Sequence, residues 1–165
     1  MATAGKNLSQ LDKRSTPSAA PFRFGIVSAE WNAEITDPLT KGAGETLIEL
    51  GARRYHVDVK KVPGSFELPI AAKMLIESND YDAVIAIGSV IQGETRHFEF
   101  VCQAVAQGVK DVSLETGVPV IFCVLTDDTL EQAKARSGGK HGNKGVEAAV
   151  AAVKMAHLKH QLGQN

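Results

Sequence analysis

Short apolar runs alternate with longer stretches in which apolar residues recur at helical spacing, and this alternation organises the chain. Phe22–Val27 reads as a first strand. Leu39, Ala43, Leu47 and Leu50 then keep the spacing of one helix face, and Gly51 ends it. The expected start of that helix is Thr36 or Asp37 as N-cap with Pro38 in the first turn, where an N–H is not needed. Tyr55–Val62 sets His, Asp and Lys against Val and reads as a second strand. Glu67–Ser78 is expected as a helix and Ala83–Val90, almost wholly apolar, as a third strand. His97–Thr116 carries Phe98, Val101, Val105 and Val112 on one stripe of a long helix. Pro119–Leu125 follows as a fourth strand, Leu130–Arg136 as a short helix and Asn143–Leu162 as a long final one.

Strands three and four have no polar face, so both of their faces must be covered. Together with the strict strand–helix alternation this predicts an α/β fold: a three-layer, flavodoxin-like parallel four-stranded sheet with helices on both sides. No linker or repeat interrupts the pattern. Residues 1–21, polar and closed by Pro21, are expected to form a flexible arm, and residues 22–165 a single domain.

Composition narrows the class without naming a function. The 165 residues are 44% apolar and 22% charged, with a formal net charge of −1, which gives no basic surplus for nucleic acid. The apolar runs Ala83–Ile87 and Val118–Leu125 are too short to cross a bilayer. Cys102 and Cys123 lack CxxC spacing and read as buried free thiols of a reducing compartment. The first twenty residues contain Lys6, Lys13 and Arg14 but no apolar segment of the secretory type. A cytoplasmic protein is the expectation, with a short plastid or other transit peptide left open.

In a sheet of this kind ligands bind beyond the carboxyl ends of the strands, so the segments that follow each strand are the candidates for chemistry. They are Ser28–Asn32, Val62–Glu67, Gly88–His97 and Leu125–Asp128. Trp31, the only tryptophan, is either a packing residue at the sheet edge or a platform for a flat ligand. Pro63-Gly-Ser65 turns into a helix whose first amides can receive a carbonyl or anion. Glu67 in that turn either offsets the helix dipole or accepts hydrogen bonds from a polyol. His97 is the candidate for proton transfer, since imidazole titrates nearest neutrality; the alternative is a helix-start residue without a duty.

Two motifs invite other chemistry and fall short of it. Glu94 and His97 form one Glu-x-x-His pair, whereas a carboxylate-bridged di-iron site needs two, on a helical bundle; no metal is expected. Ser137-Gly-Gly-Lys-His-Gly-Asn-Lys-Gly145 is glycine-rich and basic, but Gly145 stands where a phosphate loop needs a hydroxyl. It reads as a tight junction between two helices. Arg136, just before it, suits a phosphate or is a solvated charge. The small residues spread around the last helix, Ala148, Ala149, Ala151, Ala152 and Ala156 among them, allow either an oligomer contact or close packing on the sheet.

Val62-Pro-Gly-Ser-Phe-Glu-Leu-Pro69, Gly88-Ser-Val-Ile-Gln-Gly-Glu-Thr-Arg-His97 and Gly142-Asn-Lys-Gly145, in that order and spacing, resemble the lumazine synthase family. The likeness runs from about Phe22 to about Leu158. It implies a transferase of riboflavin biosynthesis that needs no cofactor. The reaction would condense 5-amino-6-(D-ribitylamino)uracil with 3,4-dihydroxy-2-butanone 4-phosphate to 6,7-dimethyl-8-ribityllumazine, water and phosphate. Carried over position by position, Trp31 stacks on the pyrimidine, where many relatives have Phe. Ser65, Phe66 and Glu67 hold the ribityl chain and ring, and Ser89, Val90 and Ile91 read the uracil edge. Glu94, where Ala is common, and Thr95 stand beside the butanone phosphate, and His97 moves protons. Phe122 and Arg136 would come from a neighbouring subunit, the arginine binding phosphate, with Lys144 near the phosphate path. The family forms pentamers, and some members join twelve of them in an icosahedral capsid, which Gly138–Gly142 favours here. Riboflavin synthase is a protein partner the resemblance admits.

Two other readings make different demands of the same residues. A non-catalytic flavin- or lumazine-binding storage shell of the same fold would have no use for His97 and Arg136 together. A signalling receiver would need an acidic cluster after strands one and three and a lysine after the last strand; Glu30, Asp127 and Asp128 do not supply it.

Overall fold

The computed structural model describes residues 15–163. Its centre is a sheet of β1 (Phe24–Ala29), β2 (Val57–Val62), β3 (Ala83–Ile91) and β4 (Val120–Asp127), all parallel, in the order β2-β1-β3-β4. This is the α/β architecture expected from the alternation of strands and helices. β1 is buried throughout and β3 from Ala83 to Ser89, which is why neither shows a polar face in the sequence. β2 lies at one edge, with Val59, Lys60 and Lys61 exposed and the rest half-buried, and its polar residues reflect that place.

Successive β3 residues feed two different cores, as the pleat requires. Ile85 and Ile87 join Phe24, Ile26, Leu39, Leu47 and Val153 beneath α1 (Ala33–Glu49) and α5 (Lys144–Leu162). Val84 and Ala86 join Val27, Leu68, Val105 and Val109 beneath α2 (Leu68–Ser78) and α3 (His97–Thr116). The short α4 (Leu130–Arg136) and a small antiparallel hairpin, β5 (Ser137–Gly139) with β6 (Gly142–Asn143), link β4 to α5. The glycine-rich segment read as a helix–helix junction is thus a junction that contains a hairpin. Gly138 and Gly142, at φ 123° and 84°, make its turns.

Two local details depart from the sequence reading. The first helix starts at Ala33, not at Thr36–Pro38. Asn32 leaves β1 in the left-handed region (φ 60°, ψ 44°) and stands at the N-cap position, so the helix begins without a longer loop. Thr36 is buried, its hydroxyl donating to the Ala29 carbonyl at 2.7 Å. Pro38 therefore lies inside the helix. The β2 strand begins at Val57, after a 3-10 turn at Arg54–His56, so Tyr55 precedes it.

The alanine-rich last helix packs on α1 and the sheet through Ala148, Ala149, Ala152 and Ala156. Its first turn nearly touches the α1 backbone: a Cβ on Gly145 would stand 2.1 Å from the Leu39 carbonyl oxygen. Asn143 locks the contact, donating to the Pro38 carbonyl at 2.9 Å and accepting from the Gly145 N–H at 2.8 Å as N-cap. Residues 1–14 of the expected arm lie outside the described residues. Within its remainder Ala19 is buried and donates to the Leu50 carbonyl at 2.9 Å. No described helix is long and apolar enough to cross a membrane.

Candidate active site

The four parallel strands end at one edge of the sheet, and hydrogen bonds tie the segments that leave β1, β2 and β3 to one another. The Glu30 N–H donates to the Val62 carbonyl at 2.7 Å and the Trp31 N–H to the Pro63 carbonyl at 3.1 Å, which joins the turn after β1 to the turn after β2. The Asn32 side chain donates to the Ser89 carbonyl at 2.9 Å and joins the same turn to β3. Trp31 is thereby held out from the sheet with 73% of its surface exposed. A tryptophan packed on the sheet edge of its own chain would be covered, whereas this indole leaves its face open.

After β2, Pro63 and Gly64 lead into a 3-10 turn, Ser65–Glu67, that runs directly into α2. The turn sits flush on β3 because position 88 has no side chain: a Cβ on Gly88 would lie 2.5 Å from Ser65 Oγ and 3.0 Å from Leu68 Cδ1. Ser65 is buried by this contact, while Phe66 next to it is 61% exposed. Two large aromatic side chains, Trp31 and Phe66, consequently border an open cleft of about 410 Å3. Ser89, Val90 and Ile91 from the end of β3 line it, and Gly93, Thr95 and His97 continue the lining to the start of α3. Its size is that of a small-molecule site. The Thr95 hydroxyl receives the His97 N–H at 3.4 Å, at the head of that helix. Ser89 Oγ is buried and has no hydrogen-bond partner among the described residues.

Of the residues read from the sequence, Trp31, Ser65, Phe66, Glu67, Ser89, Val90, Ile91, Thr95 and His97 thus line one cleft. Glu94, Phe122, Arg136 and Lys144 do not line it. Glu94 is exposed in the loop between Gly93 and Thr95. Phe122, 40% exposed on the edge strand β4, borders a second hollow with Cys123, Lys144 and Glu147. Lys144 pairs there with Glu147 at 2.6 Å, and burial pushes the Cys123 thiol up to about 12. Arg136, at the end of α4, lies 3.4 Å from Asp127 and donates to the Gln132 carbonyl at 2.9 Å. Burial raises the Asp127 carboxyl above its usual range, with Arg136 opposing and Asp128 adding to the rise.

Several residues of the site were not singled out in the sequence. Asn32 ties two loops together, and its signal was an asparagine directly after a strand, one of the few residues that accept the left-handed region. Phe98 and Val101 also line the cleft, but the stripe they share with Val105 reads as core. Glu147 and Asp127, the partners of Lys144 and Arg136, lie three and nine positions from them in sequence. Only the first of these separations is a helical neighbour distance.

Comparison with known proteins agrees with the geometry. Residues 21–160 match the family described as 6,7-dimethyl-8-ribityllumazine synthase. A 6,7-dimethyl-8-ribityllumazine synthase of Christiangramia forsetii is 57% identical over 160 residues, covering 96% of this chain and 95% of that one. One from Flavobacterium johnsoniae is 55% identical over 161 residues (98% and 85%), and one from Porphyromonas gingivalis 53% over 159 (96% and 99%). Identity above one half over nearly the whole chain assigns the family: the chain belongs to the 6,7-dimethyl-8-ribityllumazine synthases.

Proposed function

We propose that the cleft bordered by Trp31 and Phe66 binds 5-amino-6-(D-ribitylamino)uracil and brings it to 3,4-dihydroxy-2-butanone 4-phosphate. The chain is a lumazine synthase, an enzyme of riboflavin biosynthesis. The observation that carries it is the convergence of an exposed indole, the Ser65–Glu67 turn, the end of β3 and His97 on one cavity. The indole offers a face to the pyrimidine. Glu67 offers carboxylate oxygens to the ribityl hydroxyls, and the main chain of Ser89–Ile91 offers donors and acceptors to the uracil edge. Thr95 and Glu94 flank the place of the second substrate.

The arylamine nitrogen attacks the ketone carbon, and loss of water leaves an imine. A proton is then removed from the carbon chain and phosphate departs with its electron pair. The enol left behind takes a proton at its terminal carbon and becomes a ketone, and attack of the ribitylamino nitrogen on that new carbonyl closes the ring and releases a second water. His97 moves protons in these steps, and Arg136 holds the departing phosphate dianion. Joining two substrates in one orientation can lower the barrier by about 7–11 kcal/mol, and proton transfer by a placed histidine adds roughly 10²- to 10⁴-fold.

Phe122, Arg136 and Lys144 stand away from the cleft of their own chain, which supports a site completed by a neighbouring copy in a homo-pentamer. Twelve pentamers in a shell are a further step of the same proposal, and riboflavin synthase a protein partner of it. The test is an assay with both substrates, followed by lumazine absorbance and fluorescence, on protein sized by light scattering. Product that vanishes when the butanone phosphate is omitted supports the assignment, and the particle mass separates pentamer from shell. A folded oligomer that binds the ribitylated pyrimidine but makes no product would overturn the catalytic roles.

A further inference from the structure

The end of β4 carries a pair that the reaction outlined above leaves unexplained. Asp127 is only 7% exposed, and one of its carboxylate oxygens lies 3.4 Å from the Arg136 guanidinium. Its other oxygen, Oδ2, is buried with no hydrogen-bond partner among the described residues. An ion pair whose carboxylate is buried with one oxygen unsatisfied, while its arginine is half-buried, is a poor device for stability. Apolar replacements of such pairs are often neutral or stabilising, because each buried charge loses its hydration. The arrangement calls for another reason.

The surroundings supply one. Asp127 is the last residue of β4, in register with Ile91 of β3, and its carbonyl accepts the Gln92 N–H at 3.0 Å. Its backbone is therefore fixed where the cleft loop Gly93–His97 leaves the sheet. From the other side, Gln132 ties α4 to the same strand end. Its side chain accepts the Asp128 N–H at 2.9 Å, its N–H donates to the Thr129 cap at 3.3 Å, and its carbonyl receives Arg136. Arg136 ends a helix one turn beyond these bonds and has several rotatable bonds of its own. The Asp127 carboxylate is the anionic group that meets its guanidinium.

From this we infer that Asp127 is the positioning residue of the phosphate site: it holds the Arg136 guanidinium in the orientation that meets the phosphate of the second substrate. The inference rests on the reading that Arg136 binds that phosphate. With Nη1 held between the Asp127 carboxylate and the Gln132 carbonyl, the remaining N–H groups of the fork, on Nε and Nη2, are left for a dianion.

The test is steady-state kinetics on the assembled enzyme with each substrate varied in turn, together with inhibition by inorganic phosphate. Asp127→Ala raises KM for the butanone phosphate and the inhibition constant of phosphate about tenfold, the size of one lost charge contact. KM for the ribitylaminopyrimidine stays within twofold. Asp127→Asn, which keeps a carbonyl oxygen for Arg136, recovers most of the loss. Asp127→Ser serves if the alanine variant does not fold. In an Arg136→Ala background, removing Asp127 has no further effect on phosphate inhibition. Equal rises in both KM values, or an additive effect in the double variant, would overturn the positioning role while leaving Arg136 as the phosphate ligand. If Arg136→Ala itself leaves phosphate inhibition unchanged, the phosphate reading of Arg136 falls, and the role of Asp127 with it.

Discussion

His97 and Arg136 do different work, and their removal should be told apart by kinetics. His97 stands at the cleft, at the head of α3. Because orientation of the substrates contributes independently of proton transfer, His97→Ala is expected to lower kcat by about 10²-fold and leave measurable turnover. Total loss of activity in a normally assembled variant would contradict that division. Arg136→Ala strands a dianion without its counter-charge. Its catalytic efficiency with the butanone phosphate should fall further than that of His97→Ala, with a clear rise in KM for this substrate. At this scale much was readable in the sequence: a lone tryptophan, a histidine and a Ser-Phe-Glu turn after strand ends announce chemistry. Asn32 and Asp127 were not, because their importance lies in what they contact: the Ser89 carbonyl in one case and the Arg136 side chain in the other.

Between elements, stability depends on close approaches that no periodicity reveals. The start of α5 rests on the α1 backbone at Gly145, and the obstacle there is a carbonyl oxygen that cannot swing aside. Gly145→Ala is therefore expected to destabilise the protein by about 3 kcal/mol or more, read as a lowered melting temperature at fixed protein concentration. At the opposite end of the sheet from the cleft, Asp58 accepts hydrogen bonds from Tyr81 at 2.8 Å and from Arg23 at 3.0 Å. Burial raises the Asp58 carboxyl, but these bonds and the Arg23 charge outweigh it and hold the group below its ordinary value. A depressed carboxyl stabilises the fold above its unfolded pKa, about 3.9, and that contribution is lost as pH falls through the lower folded value. Asp58→Asn should then lower the denaturation midpoint at neutral pH, and the gap to the parent should close in acid. A gap that persists unchanged below pH 3 would remove the ionic explanation. The helix that begins at Asn32 shows why such details escape a sequence reading. Thr36-Asp-Pro38 is a good helix start taken alone, yet Thr36 is drawn into the core by the Ala29 carbonyl and the helix starts a turn earlier.

For the whole molecule, the division of the expected residues between a cleft and the β4–α4–α5 edge leads to a test of sharing between subunits. His97→Ala and Arg136→Ala chains, unfolded and reassembled together, will generate some sites with His97 from one copy and Arg136 from its neighbour. Activity above that of either parent assembly is expected; a value equal to their weighted mean would mean that each chain carries its own complete site. The sequence by itself determined the architecture and the identity of most cleft residues, because a buried parallel strand must be apolar on both faces and strand ends can be counted along the chain. The tertiary structure alone decided which of those residues share one cavity, that Gly88 lets the Ser65 turn lie against β3, and that Arg136 is held by Asp127. The reason is physical: patterning is local and survives in one dimension, whereas a site depends on distances between segments that only the packed sheet brings together.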